Sequence, residues 1–158
     1  MAPMADRMRL DGKAAFVTGG GGGIGRGIAI RLAEAGANVA ILDIFAERAD
    51  ETAARVREHG VEALALPADV MNTDALRAAI AATDAEFGRL DILVNNAGGV
   101  SGRPFLEQSE RSWRKHIDIN LVSMLAATHA AAPIMIRGGQ GGSIVNIASI
   151  EASRAAPN

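Results

Sequence analysis

The chain has 158 residues, of which 49% are hydrophobic and 22% are charged, the balance of an ordinary globular domain with a buried core. Its formal net charge of −2 comes from both signs mixed along the chain, which gives no electrostatic case for binding nucleic acid or an anionic membrane. The absence of cysteine excludes disulfides, thiolate zinc sites and cysteine nucleophiles. The three histidines lack ligand spacing, so we expect no metal site.

The start of the chain carries charged residues and no apolar segment, and no run of about 18 apolar residues follows. The sequence therefore predicts neither a secretory signal nor a membrane span. A chain without cysteine also fits a cytoplasmic location, which we expect for this protein.

Five apolar runs typical of strands alternate with alanine-rich runs typical of helices. In chain order, the prediction is a strand over 14–19, a helix over 23–36, a strand over 38–43, a helix over 46–60, a strand within 61–69, a helix over 72–87, a strand within 90–98, a long helix over 109–137 and a strand over 143–149. Pro133 is expected to kink the long helix or to mark an irregular final turn. This alternation predicts an α/β fold with a parallel sheet, right-handed crossovers and strands buried on both faces.

The stretch FVTGGGGGIGRGIA, residues 16–29, places five consecutive glycines between the first strand and the first helix. In a doubly wound sheet this turn holds the pyrophosphate of a dinucleotide, which needs free backbone N–H groups and the positive end of a helix dipole. Gly20, Gly22 and Gly25 fit the dinucleotide fingerprint, although a glycine run satisfies many such patterns. The alternative is a flexible connector.

Asp43 follows the second strand, 18 residues after Gly25, near the spacing expected for a carboxylate that binds the adenosine ribose. A carboxylate accepts hydrogen bonds from a ribose diol and repels a 2′-phosphate. No basic residue occurs between Gly19 and Gly25, and Arg26 is the first. The sequence therefore favours NAD over NADP, with a solvated acid at a strand end as the alternative for Asp43.

With its glycine turn and the motifs that follow it, the sequence resembles the short-chain dehydrogenase/reductase family. The glycine stretch TGGGGGIG, residues 18–25, matches its T-G-x-x-x-G-x-G turn, and NNAG, residues 95–98, matches its fourth-strand motif. ADV at 68–70 matches its adenine-contacting segment, while DINL at 118–121 and GSIVNIAS at 142–149 match the segments that carry a catalytic asparagine and serine. The matches occur in order from about Leu10 to the C-terminus.

The resemblance implies a Rossmann-type doubly wound sheet of about five strands in the order 3-2-1-4-5. It also implies hydride transfer between NAD(H) and a secondary alcohol or ketone. Ser149 would hydrogen-bond the substrate oxygen, and Asn120, bending the long helix, would hold a water in a proton relay. Asn95 would tie neighbouring strands. The predicted cofactor-binding residues are Gly19, Gly22, Gly23, Ile24, Gly25, Asp43, Ile44, Asp69, Val70, Asn96, Ala97 and Gly98.

The sequence departs from the family at one point. The family's general acid/base is a tyrosine, followed four residues later by a lysine, about a dozen residues after the serine. This chain has no tyrosine, and its lysines are Lys13 and Lys115. We therefore expect residues 1–158 to form a single dinucleotide-binding domain that is incomplete at its C-terminus and lacks the family's later strands and helices.

Two functions remain open. The first is an NAD(H)-dependent oxidoreductase with a small-molecule alcohol or ketone substrate, expected to be a homo-oligomer, a tetramer, when the whole chain is present. The second is a catalytically incomplete NAD-binding fragment. A flavodoxin-like binding module is a third possibility that the ordered motifs disfavour.

Single residues also have structural alternatives. Ser149 alone could be a local backbone bonder, and Trp113 with Ile117 is expected to pack in the core.

Overall fold

The structure, a computed structural model, describes residues 8–153. Its strands are β1 (Ala14–Thr18), β2 (Asn38–Asp43), β3 (Ala63–Pro67), β4 (Ile92–Asn95) and β5 (Ser143–Asn146). Its longer helices are α1 (Gly23–Glu34), α2 (Ala46–Arg57), α3 (Thr73–Phe87), α4 (Glu110–Ile117) and α5 (Ser123–Arg137). Short 3₁₀ turns occur at Phe105–Glu107 and Ile150–Ala152, and a π-helical turn at Asp118–Val122 joins α4 to α5.

The strands form one parallel sheet in the order β3-β2-β1-β4-β5, which confirms the predicted strand order. The chain moves outward from β1 to β3 and then returns to the other side of β1 with β4. The order therefore reverses between β1 and β4, at the carboxyl ends of the strands, and in open α/β sheets ligands bind at such a switch point.

The core lies on both faces of the sheet because neighbouring side chains of a strand point in opposite directions. Phe16 and Leu42 belong to one cluster, and Val17 and Ile41 belong to the other. Every residue of β1 is buried, as the continuous apolar run predicted. The buried residues of α1 are small, namely Gly25, Ala29 and Ala33. Small residues let this helix lie close to the sheet.

The outer strands are not buried as predicted. β3 is half-buried, and all four residues of β5 are exposed, with Ile144 at 38% and Val145 at 46% relative exposure. The prediction of burial on both faces is therefore wrong for β5. Apolar composition marks a strand, but its burial depends on which elements cover it, and β5 is the outer strand beside β4.

The long helix predicted over 109–137 is interrupted by the π-helical turn at Asp118–Val122, while Pro133 lies inside α5 and the helix continues to Arg137. The interruption has a local cause. The Asn120 side-chain amide donates to the His116 carbonyl at 2.9 Å, one turn earlier, and so competes with the backbone for that acceptor. The π-helical turn thus lies at Asn120, where the resemblance implied a bend.

Trp113 and Ile117 do not pack in the core. They are 39% and 53% exposed, and the Trp113 ring stacks on Phe105 with centroids 5.3 Å apart. The prediction of core packing is therefore wrong for both residues. Helical spacing places them on one face of α4, but that spacing does not determine whether the rest of the fold covers the face.

One helical run among the described residues, Glu110–Arg137, is long and apolar enough to cross a membrane by length and composition alone. Its most apolar window has a mean hydropathy of 1.6, and 33% of that window is buried inside the fold. A single helix of this kind is weak evidence for a membrane span, because core helices of water-soluble proteins can have the same length and apolar composition.

Asp91 precedes β4 at the amino edge of the sheet, and its carboxylate is a buried acceptor. It accepts hydrogen bonds from the Ala14 backbone at 2.9 Å, from Lys13 at 3.2 Å and from both Arg89 donors at 2.7 Å. Burial acts to raise the pKa of Asp91, but the bonds from Arg89, Ala14 and Lys13 outweigh it and hold that pKa below its ordinary value. The ionised carboxylate therefore stabilises the fold.

We expect Asp91→Asn to lower the free energy of unfolding at pH 7 by about 2 kcal/mol, because charged hydrogen bonds are lost at a buried site. A lowered folded-state pKa contributes stability above the unfolded pKa of about 4, and this contribution is lost as the pH falls through the folded value. Chemical denaturation between pH 7 and pH 2.5 should therefore show the gap between variant and wild type closing below about pH 4. Asp74→Asn, at a side chain that is 97% exposed, is the control. A gap of constant size across this range would contradict the prediction.

Candidate functional site

The glycine turn lies between β1 and α1, at the switch point of the sheet. Gly19 and Gly23 have φ values of +62° and +50°, which L side chains rarely adopt. A Cβ on Gly25 would overlap the carbonyl oxygen of Gly19 and lie 2.5 Å from Nδ2 of Asn96. Glycine is therefore required here by backbone conformation and by close packing, which a flexible connector would not need.

Thr18 and Asn96 hold this turn against the end of β4. The Thr18 hydroxyl accepts hydrogen bonds from the backbone N–H groups of Asn96 and Ala97, both at 3.0 Å. The Asn96 side chain donates to the carbonyls of Thr18 at 3.0 Å and Gly19 at 3.2 Å. The sequence interpretation gave Thr18 no role, although it begins the TGGGGGIG motif. Asn96 thus contacts the turn itself, and its role in cofactor binding stays a prediction.

Asp43 ends β2 beside the turn, and only 8% of the residue is exposed. Its Oδ2 accepts from the Gly21 backbone N–H at 3.0 Å, and its Oδ1 accepts from that of Phe45 at 3.1 Å. A carboxylate has about four acceptor positions, so each oxygen can accept a further hydrogen bond from a ribose diol. A Cβ on Gly21 would lie 2.7 Å from Asp43 Oδ2, so this approach also requires glycine.

A cavity of about 300 Å³ opens at the carboxyl edge of the sheet. The predicted site residues that line it are Gly19, Asp43, Ile44, Asp69, Val70, Ala97 and Gly98. Ala68 of the ADV segment also lines it, and Leu42, Met71, Lys115 and Ile119 line it without having been predicted. Ile119 directly precedes Asn120, and Lys115 lies four residues earlier, so the helical period of the DINL segment could have indicated both.

Asp69 and Val70 form the wall of the cavity that follows β3. Asp69 Oδ1 accepts from the Met71 backbone N–H at 2.9 Å, which closes a tight turn before α3. Val70 is 7% exposed and packs in the core, and this packing fixes the position of the wall. By contrast, Gly22, Gly23 and Ile24 do not line the cavity, and Ile24 is 68% exposed at the start of α1.

Asn120 and His116 hold the loop that follows β4. Asn120 donates to the Gly99 carbonyl at 2.7 Å and accepts from the Gly99 N–H at 3.0 Å. His116 Nε2 accepts from the Ser101 N–H at 2.9 Å. A Cβ on Gly98 would lie 2.7 Å from Asn120 Oδ1. The sequence interpretation assigned His116 no function, because nothing in its spacing indicates the loop it binds.

Ser149 lies after β5, at the same edge of the sheet as the other predicted residues. Its hydroxyl accepts from the Glu151 backbone N–H at 3.3 Å, and the residue is exposed. It does not line the 300 Å³ cavity. In this structure Ser149 therefore acts as a local backbone bonder. Asn95 performs its predicted role, because its amide donates to Asn146 of β5 at 2.8 Å.

Comparison with known proteins supports the motif assignment. A family model described as short chain dehydrogenase matches residues 13–158. A short chain dehydrogenase/reductase of Aspergillus oryzae, astE, is 41% identical over 150 residues, which are 94% of this chain and 58% of that protein. A 7α-hydroxysteroid dehydrogenase of Escherichia coli K12 is 38% identical over 148 residues, which are 94% of this chain and 57% of that protein.

Two solved structures are similar throughout this chain. A 7α-hydroxysteroid dehydrogenase complexed with NADH and 7-oxo glycochenodeoxycholic acid has a TM-score of 0.93 at 36% identity, covering 99% of this chain and 61% of that one. A carveol dehydrogenase of Mycobacterium avium in complex with NAD has a TM-score of 0.90 at 36% identity, covering 95% of this chain and 59% of that one.

The parallel sheet, the glycine turn at its switch point and the acidic end of β2 define a dinucleotide-binding domain of the Rossmann type. The family match over residues 13–158 makes the assignment narrower. The chain belongs to the short-chain dehydrogenase family, as the resemblance in its motifs predicted. It spans less than three fifths of the length of the two curated relatives.

Proposed function

We propose that the whole protein is an NAD(H)-dependent oxidoreductase that interconverts a secondary alcohol and the matching ketone. The observation that carries this proposal is the Asp43 carboxylate, held by the Gly21 N–H beside the cavity at the switch point. Fold alone would not support an activity, because Rossmann domains serve many functions.

The residues of this site fit NAD. Gly22 and Gly23 have open space where a Cβ would lie, and Gly25 keeps the turn packed closely against Gly19, so a pyrophosphate can approach the N–H groups at the start of α1. Asp43 has acceptor positions for the ribose diol, and Asp69 and Val70 form an adjacent wall for the adenine. When bound, NAD supplies the hydride chemistry, and the protein orients it.

We expect Asp43→Ala to weaken NADH binding roughly 10- to 100-fold, because hydrogen bonds to a carboxylate contribute about 1.5–3 kcal/mol. Binding of NADPH should change less or improve, since the charge that repels a 2′-phosphate is removed. Titration of the full chain with NADH and NADPH measures both constants. Asp50→Ala, an exposed residue of α2 with the same charge change, is the matched control. Tighter binding of NADPH than of NADH by the wild type would contradict the assignment.

We propose that Ser149 hydrogen-bonds the substrate oxygen and that Asn120 holds a water for proton relay. The family's tyrosine and lysine are not among the 158 residues, and we propose that they follow in a longer protein in which residues 1–158 form an incomplete single domain. Two observations support this. The chain covers 58% or less of its curated relatives, and Ile144 and Val145 of β5 are exposed although the central strands are buried.

The second candidate is a catalytically incomplete NAD-binding fragment, which the missing tyrosine favours. The intact mass of the purified protein separates the two. A single species near 16.3 kDa should bind NADH without turnover, whereas a larger species should carry the tyrosine and show activity. Turnover by a pure 16.3 kDa species would exclude the fragment and show that another group acts as the acid/base.

We further propose that the whole protein is cytoplasmic and forms a homotetramer. Exposed apolar side chains on α4 and α5 support an interface between subunits, since Ile117, Leu125 and Ile136 are 53%, 55% and 76% exposed. Light scattering of the purified protein measures the assembly directly. A monomer at micromolar concentration would exclude the tetramer.

A further inference from the structure

Arg26, the first basic residue after the glycine turn, binds the turn and α2 at the same time. Its Nε and Nη2 donate to the Gly21 carbonyl at 3.2 Å and 2.6 Å. Its Nη1 and Nη2 donate to the two carboxylate oxygens of Glu51 at 3.0 Å and 2.9 Å. Nε also donates to the hydroxyl of Thr52, a fully buried residue, at 3.1 Å. One guanidinium thus joins the turn to a helix 25 residues away.

Gly21 is consequently held through both of its backbone polar groups. Arg26 binds its carbonyl, and Asp43 Oδ2 accepts from its N–H at 3.0 Å. The space around Gly21 is also closed, because a Cβ there would lie 2.7 Å from Arg48 Cβ and from Asp43 Oδ2. The orientation of the Asp43 carboxylate and the position of Gly21 are therefore set together.

Arg26 is poorly placed to be a phosphate ligand. Its Nε and Nη2 donors are already used by Gly21, Thr52 and Glu51, and its charge is compensated by Glu51. Hydrogen bonding and charge from Arg26 hold the pKa of Glu51 below its usual value, so the acid is ionised at neutral pH. The bidentate geometry is one that arginine can provide and lysine cannot.

We propose that Arg26 is a positioning residue for the adenosine half of the dinucleotide: through Gly21 it fixes the Asp43 carboxylate in the orientation that receives the ribose diol. This inference rests on the proposed function, because it assigns a role to Arg26 only if Asp43 binds the cofactor. Arg26 acts through Gly21 and does not touch the ligand.

The test measures binding of NADH, NADPH and ADP-ribose to the full chain carrying Arg26→Gln, Asp43→Ala or both. We expect Arg26→Gln alone to lower the affinity for ADP-ribose and for NADH roughly 5- to 50-fold. It should also reduce the ratio of NADH affinity to NADPH affinity. In the Asp43→Ala background, Arg26→Gln should cost less than about twofold, because its effect passes through that carboxylate. Arg26→Lys should restore part of the affinity, since one donor can still reach Gly21.

Two further variants separate positioning from general stability. Arg55→Gln removes the other cation that binds Glu51, at 2.9 Å, and should leave cofactor binding unchanged. Glu51→Gln keeps the volume of the side chain but removes the charge that binds Arg26. It replaces Arg26→Gln if that variant does not fold. It should reproduce the reduced preference for NADH over NADPH.

Additive losses from Arg26→Gln and Asp43→Ala, or an unchanged preference between NADH and NADPH, would overturn the inference while leaving the proposed function intact. Failure of the wild type to bind NADH and ADP-ribose would overturn the proposed function and this inference together.

Discussion

Gly25→Ala should lower the affinity for NADH by more than 100-fold, or beyond detection, and should lower the thermal unfolding temperature. A Cβ at this position would overlap the Gly19 carbonyl oxygen and lie 2.5 Å from Asn96 Nδ2. Neither neighbour can yield easily, because Asn96 donates to the carbonyls of Thr18 and Gly19. Relief of the overlap must move the turn away from β4, and overpacking of this kind costs about 1–3 kcal/mol or more.

Gly27→Ala is the matched control for this prediction. Gly27 lies two residues later in α1, and a Cβ there would meet no atom within 4 Å. The same chemical change should therefore leave NADH binding unchanged and raise the free energy of unfolding by roughly 0.5–1 kcal/mol, because alanine favours the helix. Titration with NADH and thermal denaturation of both variants check the pair. Wild-type affinity in Gly25→Ala would show that the turn does not hold the cofactor.

The elements that the sequence predicted well are those encoded locally. The helix predicted over 72–87 is α3, where Asn72 caps the start by accepting from the Ala75 N–H at 3.1 Å, and Gly88 ends the helix with a φ of +70°. The apolar runs of β1 and β2 predicted their burial for the same reason: a strand between two others in a parallel sheet is covered by helices on both faces.

The features that sequence could not predict depend on partners far along the chain. Thr18 bonds to residues 78 and 79 positions away, and Arg26 reaches Glu51 across 25 residues. The periodicity of the sequence around a residue contains no information on such distant partners. The exposure of β5 has the same origin, since only the elements packed on a strand decide whether its apolar residues are buried.

The site itself was predicted in part. The glycine turn, Asp43 and Asp69 lie around one cavity because each follows a neighbouring strand, and parallel strands end at one edge. Lys115 and Ile119 reach the same cavity from a helix, which the strand-end motifs do not describe. The proposed catalytic residues are harder to predict from sequence, since a serine or asparagine also bonds to nearby backbone, as Ser149 does here.

If the protein is the longer, tyrosine-containing chain proposed above, Ser149→Ala should lower kcat roughly 100- to 1,000-fold, the usual effect of removing a donor that stabilises charge on a reacting oxygen. KM should change much less, because that bond strengthens in the transition state. In this structure the Ser149 hydroxyl accepts from the Glu151 N–H at 3.3 Å, a bond that does not use the hydroxyl's own proton as a donor.

Ser143→Ala is the control, since Ser143 is an exposed serine at the start of the same strand, at the opposite edge of the sheet. Steady-state kinetics with NAD and a secondary alcohol, read by NADH absorbance, compares the two variants. A large loss in both would indicate damage to β5 as a whole. An unchanged kcat in Ser149→Ala would show that Ser149 is not part of the catalytic site. Its role would then be to cap the following turn, which it does here by accepting a hydrogen bond from the Glu151 N–H.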